Sequence, residues 1–298
     1  PATVEKVRAA IEELNYRPSR IARSMRTRRS GRIGILLPSA NNKRLPIQTL
    51  MGASTAAHES GLSVEILGVP TGADQMERLL DLTDSGDFEG VLALAAFGND
   101  LAGKKSTPLV TVADYDDEMR GMGAVANSAA LAEDVHHMAG MGHERLLHIA
   151  GPTDFPAARN RQQTFLDAVG SLGLHGTVTP GAWSAESGHE AVRALPDDSP
   201  VTAIVAANDA VATGAIRACL ERGWSVPGHM SVFGWDNNEW SQYMSPSLST
   251  VALDAERLGR EAMQRLVATI RQTDPPAPDP TPLHRLVVRE STGPARAR

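Results

Sequence analysis

From residue 32 onward, short apolar runs alternate with amphipathic segments along the chain. The apolar runs fall at 33–37, 62–69, 90–95, 108–112, 145–150, 202–206, 230–234 and 286–288, each bounded by Gly, Pro or polar residues. Between them, apolar positions recur at helical spacing over 48–60, 74–85, 129–141, 159–172, 187–195, 210–222 and 254–271. Strands alternating with helices predict parallel sheets in a doubly wound α/β fold. About nine such units exceed one sheet, so two similar subdomains are expected. A Pro-rich connection, 275–282, follows the long helix 254–271. The first thirty residues read differently. Thr3 can cap a helix carrying Val4, Val7, Ile11 and Leu14 on one face, Asn15 stops it, and Pro18 opens a short second helix over 19–27.

Charge sharpens that division. Residues 1–32 hold nine Lys or Arg against three Glu, whereas the remaining 266 hold 20 basic and 32 acidic residues. A basic arm on an acidic body points to a polyanionic partner at one end. An apolar fraction of 42% with 21% charged residues excludes a disordered chain. No stretch approaches the roughly 18 uncharged apolar residues of a membrane span, and no secretory signal opens the chain. The expectation is therefore a soluble, cytoplasmic protein. Its one cysteine, Cys219, excludes an internal disulfide and a cysteine-based zinc site.

Catalytic and metal signatures are weak, and no enzyme activity, metal or cofactor is expected. No phosphate loop, G-x-G-x-x-G turn or nucleophile elbow occurs. His136 and His137 are adjacent and diverge by about 100° on a helix, which is wrong for two ligands on one face. His143 ends a helix, where a cap role for its imidazolium is expected. Asp114, Asp116, Asp117 and Glu118 read as a solvated acidic loop.

The basic arm carries more information. A helix of two turns cannot hold itself together in water and would order when a phosphate backbone neutralises it. Arg20, Arg23 and Arg26, with Arg28 and Arg29, are placed to contact phosphates. Ile21, Ala22 and Met25 lie on the other side, and a bulky apolar side chain flanked by arginines can wedge between base pairs in a minor groove. A solvated linker is the alternative reading of the same residues.

The run from Thr3 to Met25 resembles the third headpiece helix and hinge helix of the lactose-repressor (LacI/GalR) family of bacterial transcription regulators. The resemblance continues through Gly142-His143-Glu144-Arg145, Ile149-Ala150-Gly151-Pro152, Ala207-Asn208-Asp209, Gly223-Trp224-Ser225-Val226-Pro227, Ser231-Val232-Phe233-Gly234-Trp235-Asp236, Pro246-Ser247-Leu248-Ser249-Thr250-Val251 and Val288-Arg289-Glu290-Ser291-Thr292. It implies a periplasmic-binding-protein-like core of type I and a helix-turn-helix of two helices upstream of Pro1. The expected organisation is a headpiece remnant and hinge over 1–31, one subdomain over 32–125 with 252–282, and a second over 126–251 with 283–298.

The resemblance also implies a homodimeric repressor. Operator DNA would be held by hinge residues Arg20, Ala22, Arg23, Met25 and Arg26, the family's usual Leu wedge being Met25 here. A sugar-like effector would bind between the subdomains at Ser39, Pro46, Arg161, Trp183, Asn208 and Asp236. Trp183 would stack on the sugar ring, and Arg161, Asn208 and Asp236 would bind its hydroxyls. Helix capping by Asn208 and turn formation by Asp236 are the competing readings. The family often has Asp at the positions of Ala113 and Ala126, so the effector can differ from the commonest sugars. A solute-binding protein of a transport system shares this fold and is the alternative.

Overall fold

The computed structural model describes residues 29–38, 46–70, 75–95, 107–112, 114–116 and 119–296, with Glu5, Ala10 and Glu13 described singly as helical and exposed. The hinge residues Arg20, Ala22, Arg23, Met25 and Arg26, and the cleft candidate Ser39, lie outside the described residues.

The first lobe is a four-stranded parallel sheet of order β2-β1-β3-β4, with β1 Arg32–Pro38, β2 Ser63–Val69, β3 Gly90–Ala93 and β4 Leu109–Thr111. Helices α1 (Ile47–Glu59) and α2 (Gln75–Asp84) connect the first three strands. The second lobe repeats the pattern. Its sheet has order β6-β5-β7-β8, with β5 Arg145–Ile149, β6 His175–Thr179, β7 Ala203–Ala206 and β8 Ser231–Phe233. Helices α3 (Ala129–Gly140), α4 (Pro156–Ser171), α5 (Ala185–Arg193) and α6 (Asp209–Glu221) cover it. The chain then forms β9 (Thr250–Leu253), returns to the first lobe as α7 (Ala255–Arg271), and pairs β10 (His284–Val287) antiparallel with β9.

Strands buried on both faces explain the continuous apolar runs. In the first lobe Ile33, Ile35, Val91 and Leu92 share a core with Met263 and Leu266 of α7. In the second, alternation along β5 divides the sheet's two faces: Leu147 and Ile149 pack under α5 and α6, Leu146 under α3 and α4. Each lobe also contains a helix crossing too close for side chains. A Cβ on Gly52 of α1 would lie 1.8 Å from the Glu256 carbonyl oxygen, and one on Gly259 of α7 would lie 1.9 Å from that of Thr49. The crossing of α5 and α6 does the same, with Gly188 facing the Val211 carbonyl at 2.0 Å and Gly214 facing that of Ala185 at 1.7 Å.

Several expectations need correction. Two strands fall outside the expected apolar runs: β6, His175-Gly176-Thr177-Val178-Thr179, which lies at the sheet edge and is half-exposed, and the four-residue β9, which links the lobes. Helix α4 starts at Pro156, three residues before the periodic stretch, because Pro is preorganised for the first helical turn. His143 is not a charged helix cap. It is buried, its ring nitrogens bond Thr202 Oγ1 at 2.9 Å and the Gly293 carbonyl at 3.0 Å, and burial lowers its pKa. Two members of the expected acidic loop are engaged rather than merely solvated. Asp116 pairs with Arg120 at 2.6 Å, and Asp114 accepts from the Ala124 amide at 2.6 Å while burial raises its pKa; Asp117 and Glu118 lie outside the described residues.

Candidate functional site: a cleft between the lobes

Ligand sites in open α/β sheets form beyond the carboxyl ends of the strands, because only there do loops from neighbouring strands converge. Here a cavity of about 190 Å³ opens at that place between the two sheets. Pro46, Tyr115, Met119, Arg120, Gly121 and Val125 line it from the first lobe, and Phe155, Ala157, Arg161, Trp183, Asn208 and Asp236 from the second. Five of the six residues expected at an effector site thus line one cavity, four from loops or helix caps and Arg161 from helix α4.

The second-lobe wall is built around Arg161. It sits in the second turn of α4, and its guanidinium is buried between two indoles, 4.5 Å from the Trp235 ring centroid and 5.4 Å from that of Trp183. Its Nη1 donates to the Ala207 carbonyl. Burial pushes its pKa down to about 10, against the pull of the Asp236 carboxylate. The guanidinium therefore stays charged at neutral pH and is held in one orientation, as a bidentate donor must be. His148 and His284 lie near enough to feel its charge. Burial chiefly, and Arg161 secondarily, lowers both to about 4, so neither competes as a second cation. His148 donates from Nδ1 to the Val205 carbonyl at 2.8 Å and stacks on Phe165, and His284 lies against Trp235 with centroids 5.3 Å apart.

Trp183 is fixed from three sides. Ser184 caps α5 just after it, accepting from the Ser187 amide at 3.3 Å. Phe155 meets the indole edge-on, with centroids 5.5 Å apart. Gly151 lets the ring approach, since a Cβ there would lie 2.5 Å from it. Asn208 caps α6, its Oδ1 accepting from the Val211 amide at 2.8 Å, and it also lines the cavity. Asp236 is more than a turn residue. Its φ of 108° and the 50° of Asn237 place two consecutive non-glycine residues in the left-handed half of the map. Such strain costs on the order of 1–3 kcal/mol per residue and persists where surrounding contacts over-determine it.

The first-lobe wall is a tight hairpin. Tyr115 bridges Gly121, the Arg120 amide donates to Asp116 Oδ1 at 2.8 Å, and Met119 has a φ of 57°. The Tyr115 hydroxyl lies 3.3 Å from Thr49 Oγ1, which ties the hairpin to α1. Sequence reasoning reached Pro46 on this wall but missed the hairpin, as it missed Trp235 and Phe155. The available signals were the Asp116–Arg120 pair, four apart, and an aromatic directly before Pro156. Among the described residues no cluster of His, Cys, Asp and Glu could hold a metal, and no helix is long and apolar enough to cross a membrane.

Known proteins share this architecture. The family described as periplasmic binding protein-like domain matches residues 135–292. The chain is 29% identical to the HTH-type transcriptional regulator CelR of Thermobifida fusca over 308 positions, covering 98% of this chain and 90% of that protein. A solved complex of transcriptional regulator CelR with cellobiose matches at TM-score 0.64 and 26% identity, covering 98% of this chain and 91% of that one. A sugar-binding regulator of the LacI family from Escherichia coli, solved with phosphate, has the same fold at TM-score 0.71 and 23% identity, covering 89% of this chain and 99% of that one. The chain belongs to the periplasmic binding protein-like domain family, as the core of a LacI-family transcriptional regulator.

Proposed function

We propose that this regulator is a cytoplasmic repressor whose cleft binds a sugar-like effector and thereby alters operator DNA binding, with no catalytic step. The observation that carries the reading is the convergence of Pro46, Arg161, Trp183, Asn208 and Asp236 on one cavity, an aromatic beside a fixed guanidinium, an amide and a carboxylate. That set matches a polyhydroxylated ring, which offers an apolar face and paired hydroxyls. Ser39 is assigned to the same site by its place after β1. The CelR–cellobiose complex supports the ligand class by similarity.

The lobes divide as 32–125 with 252–282 and 126–251 with 283–298, and residues 1–31 carry the DNA-facing arm. Arg20, Arg23 and Arg26 bind phosphate while Ala22 and Met25 enter the minor groove. The protein acts as a homodimer. Exposed Ile47 and Met51 on α1 and Leu220, Trp240 and Tyr243 in the second lobe offer apolar surface for a second copy. Two-fold pairing then requires a pseudopalindromic operator.

The test is a thermal-shift and calorimetric screen with cellobiose, D-glucose, D-galactose and D-ribose, followed by operator binding of the full-length protein with and without the sugar that binds. A bound sugar raises stability by mass action and, because coupling is reciprocal, changes operator affinity by the same factor that the operator changes sugar affinity. A sugar that binds and leaves operator affinity unchanged refutes the repressor mechanism. Replacing Met25 with Ala in the full-length protein should weaken operator binding and leave sugar affinity unchanged.

A further inference from the structure

Next to the cleft, and lining none of it, lies a buried carboxylate whose bonds run the wrong way for the helix it belongs to. Asp209 is the first residue of α6 and is 0% exposed. The cap of that helix is already supplied by Asn208. The Asp209 oxygens instead turn to the segment that follows β8. Oδ2 accepts from the Asn238 amide at 2.7 Å, Asn238 Nδ2 at 3.3 Å and Ser241 Oγ at 2.6 Å, and Oδ1 accepts from Thr250 Oγ1 at 2.6 Å. Among the described residues all these partners are neutral. Burying a charge on neutral donors alone costs free energy that is recovered only if the geometry is held closely.

The segment so held runs from the cleft to an exposed face. Asp236 enters the cleft at one end, with its amide bonded to the Val251 carbonyl at 2.9 Å. Asn237 follows in strained geometry, its amide on Thr250 Oγ1 at 3.2 Å. At the other end Ser241 lies inside the 3-10 helix Glu239–Tyr243, which presents Trp240 and Tyr243 to solvent, Tyr243 at 78% exposure. The carboxylate holds the helix end directly, through Asn238 and Ser241, and the cleft end through Thr250 Oγ1, which donates to Asp209 and accepts from the Asn237 amide. Asp209 is closed in as well, since a Cβ on Gly234 would lie 2.5 Å from its Oδ1.

We propose that Asp209 is a positioning residue that joins the cleft to the Trp240–Tyr243 face, so that a ligand engaging Asp236 moves the 3-10 helix. The proposal rests on the reading of the cleft as the effector site. Its physical content is one connected hydrogen-bonded element, the 236–241 segment, reached by the cleft at one end and by the exposed 3-10 helix at the other.

The chain has four tryptophans, which makes the test direct. Incorporation of 5-fluorotryptophan gives one fluorine resonance each for Trp183, Trp224, Trp235 and Trp240, assigned by single Trp-to-Phe replacements. Titration with the four sugars of the screen should move Trp183 and Trp235 beside the cleft and Trp240 with them, while Trp224, stacked on His229, reports an intact fold. In Ser241→Ala, Trp183 and Trp235 should still respond while the Trp240 response falls to less than about a third. Loss of one charge-assisted bond network corresponds to roughly tenfold in affinity, the increase in sugar Kd expected for Asp209→Asn. A silent Trp240 in the unmodified protein, or one that responds fully in Ser241→Ala, overturns the coupling and leaves the effector site standing. If none of the four sugars moves Trp183 or Trp235, the effector reading falls and this proposal with it.

Discussion

The two lobes repeat one scaffold down to strand order and a reciprocal glycine crossing of two helices, yet they furnish the cleft with unequal walls. The second lobe presents Arg161 between Trp183 and Trp235, with Asn208 and Asp236 beside it, each fixed by a buried contact. The first contributes a hairpin whose polar member, Arg120, is already engaged by Asp116. The scaffold thus sets where a ligand can sit, and the loops at the strand ends decide what it can be. A hydrogen-bonding group held in a dry, fixed place discriminates between ligands more than one solvated by its own partner.

The sharpest way to break this comparison is to remove one arginine from each wall. Arg161→Ala should weaken sugar binding by at least about a hundredfold, as truncation of a buried anchor does. Arg120→Ala should cost no more than about tenfold by the same calorimetric titration. Equal losses would place recognition on both walls alike.

The glycine crossings allow a test of the scaffold without touching the cleft. Gly214→Ala in the second lobe and Gly259→Ala in the first must each push two helix backbones apart, and each should cost about 2–3 kcal/mol in urea unfolding. A loss in only one variant would show that the two crossings are not equivalent.

Acid should act through the second lobe. His148 and His284 have folded pKa values of about 4 against about 6.5 in the unfolded chain. Between those values the unfolded state binds protons that the folded state refuses. The histidines' contribution to stability should therefore be level above about pH 6.5 and fall toward pH 4, by at most about 1.4 kcal/mol per pH unit for each histidine. Urea midpoints across that range measure it, and replacing His148 with Phe should make the curve shallower.

The smallest expected effect is a gain. Asp134 of α3 is fully buried, neither of its oxygens has a hydrogen-bond partner among the described residues, and burial raises its pKa well above the usual carboxylate value. A raised acid pKa works against stability as pH rises above about 4, the opposite sense to the histidines. Asp134→Asn should thus stabilise by about 1 kcal/mol at pH 7 and by nothing near pH 3.5, with a correspondingly steeper decline in acid. An equal gain at both pH values would place the cause outside ionisation.

Much of this molecule is legible in its sequence, because fully buried parallel strands must be apolar throughout and amphipathic helices must repeat at 3.6 residues. Those two constraints located every α-helix from 47 onward to within about three residues. They failed at β6, an edge strand that needs little apolar surface, at the four-residue β9 and the 3-10 helix Glu239–Tyr243, both too short to show a period, and at the start of α4, which is set by Pro156 rather than by periodicity. In the cleft, Pro46, Arg161, Trp183, Asn208 and Asp236 are named through the family resemblance, Asn208 and Asp236 falling shortly after apolar strands and Trp183 after a turn, and all five line one cavity. The order of residues alone was enough to set the alternation of strands and helices and the charge division between arm and body. Tertiary structure alone decided that Trp235 lies beneath Arg161, that the Tyr115–Gly121 hairpin forms the opposite wall, and that Asp209 holds Asn238, Ser241 and Thr250 at once. The physical reason is range. Periodicity and capping are local and written into neighbouring residues, whereas a buried charge finds its partners across 29, 32 and 41 positions of chain, where only the folded backbone brings them within hydrogen-bonding distance.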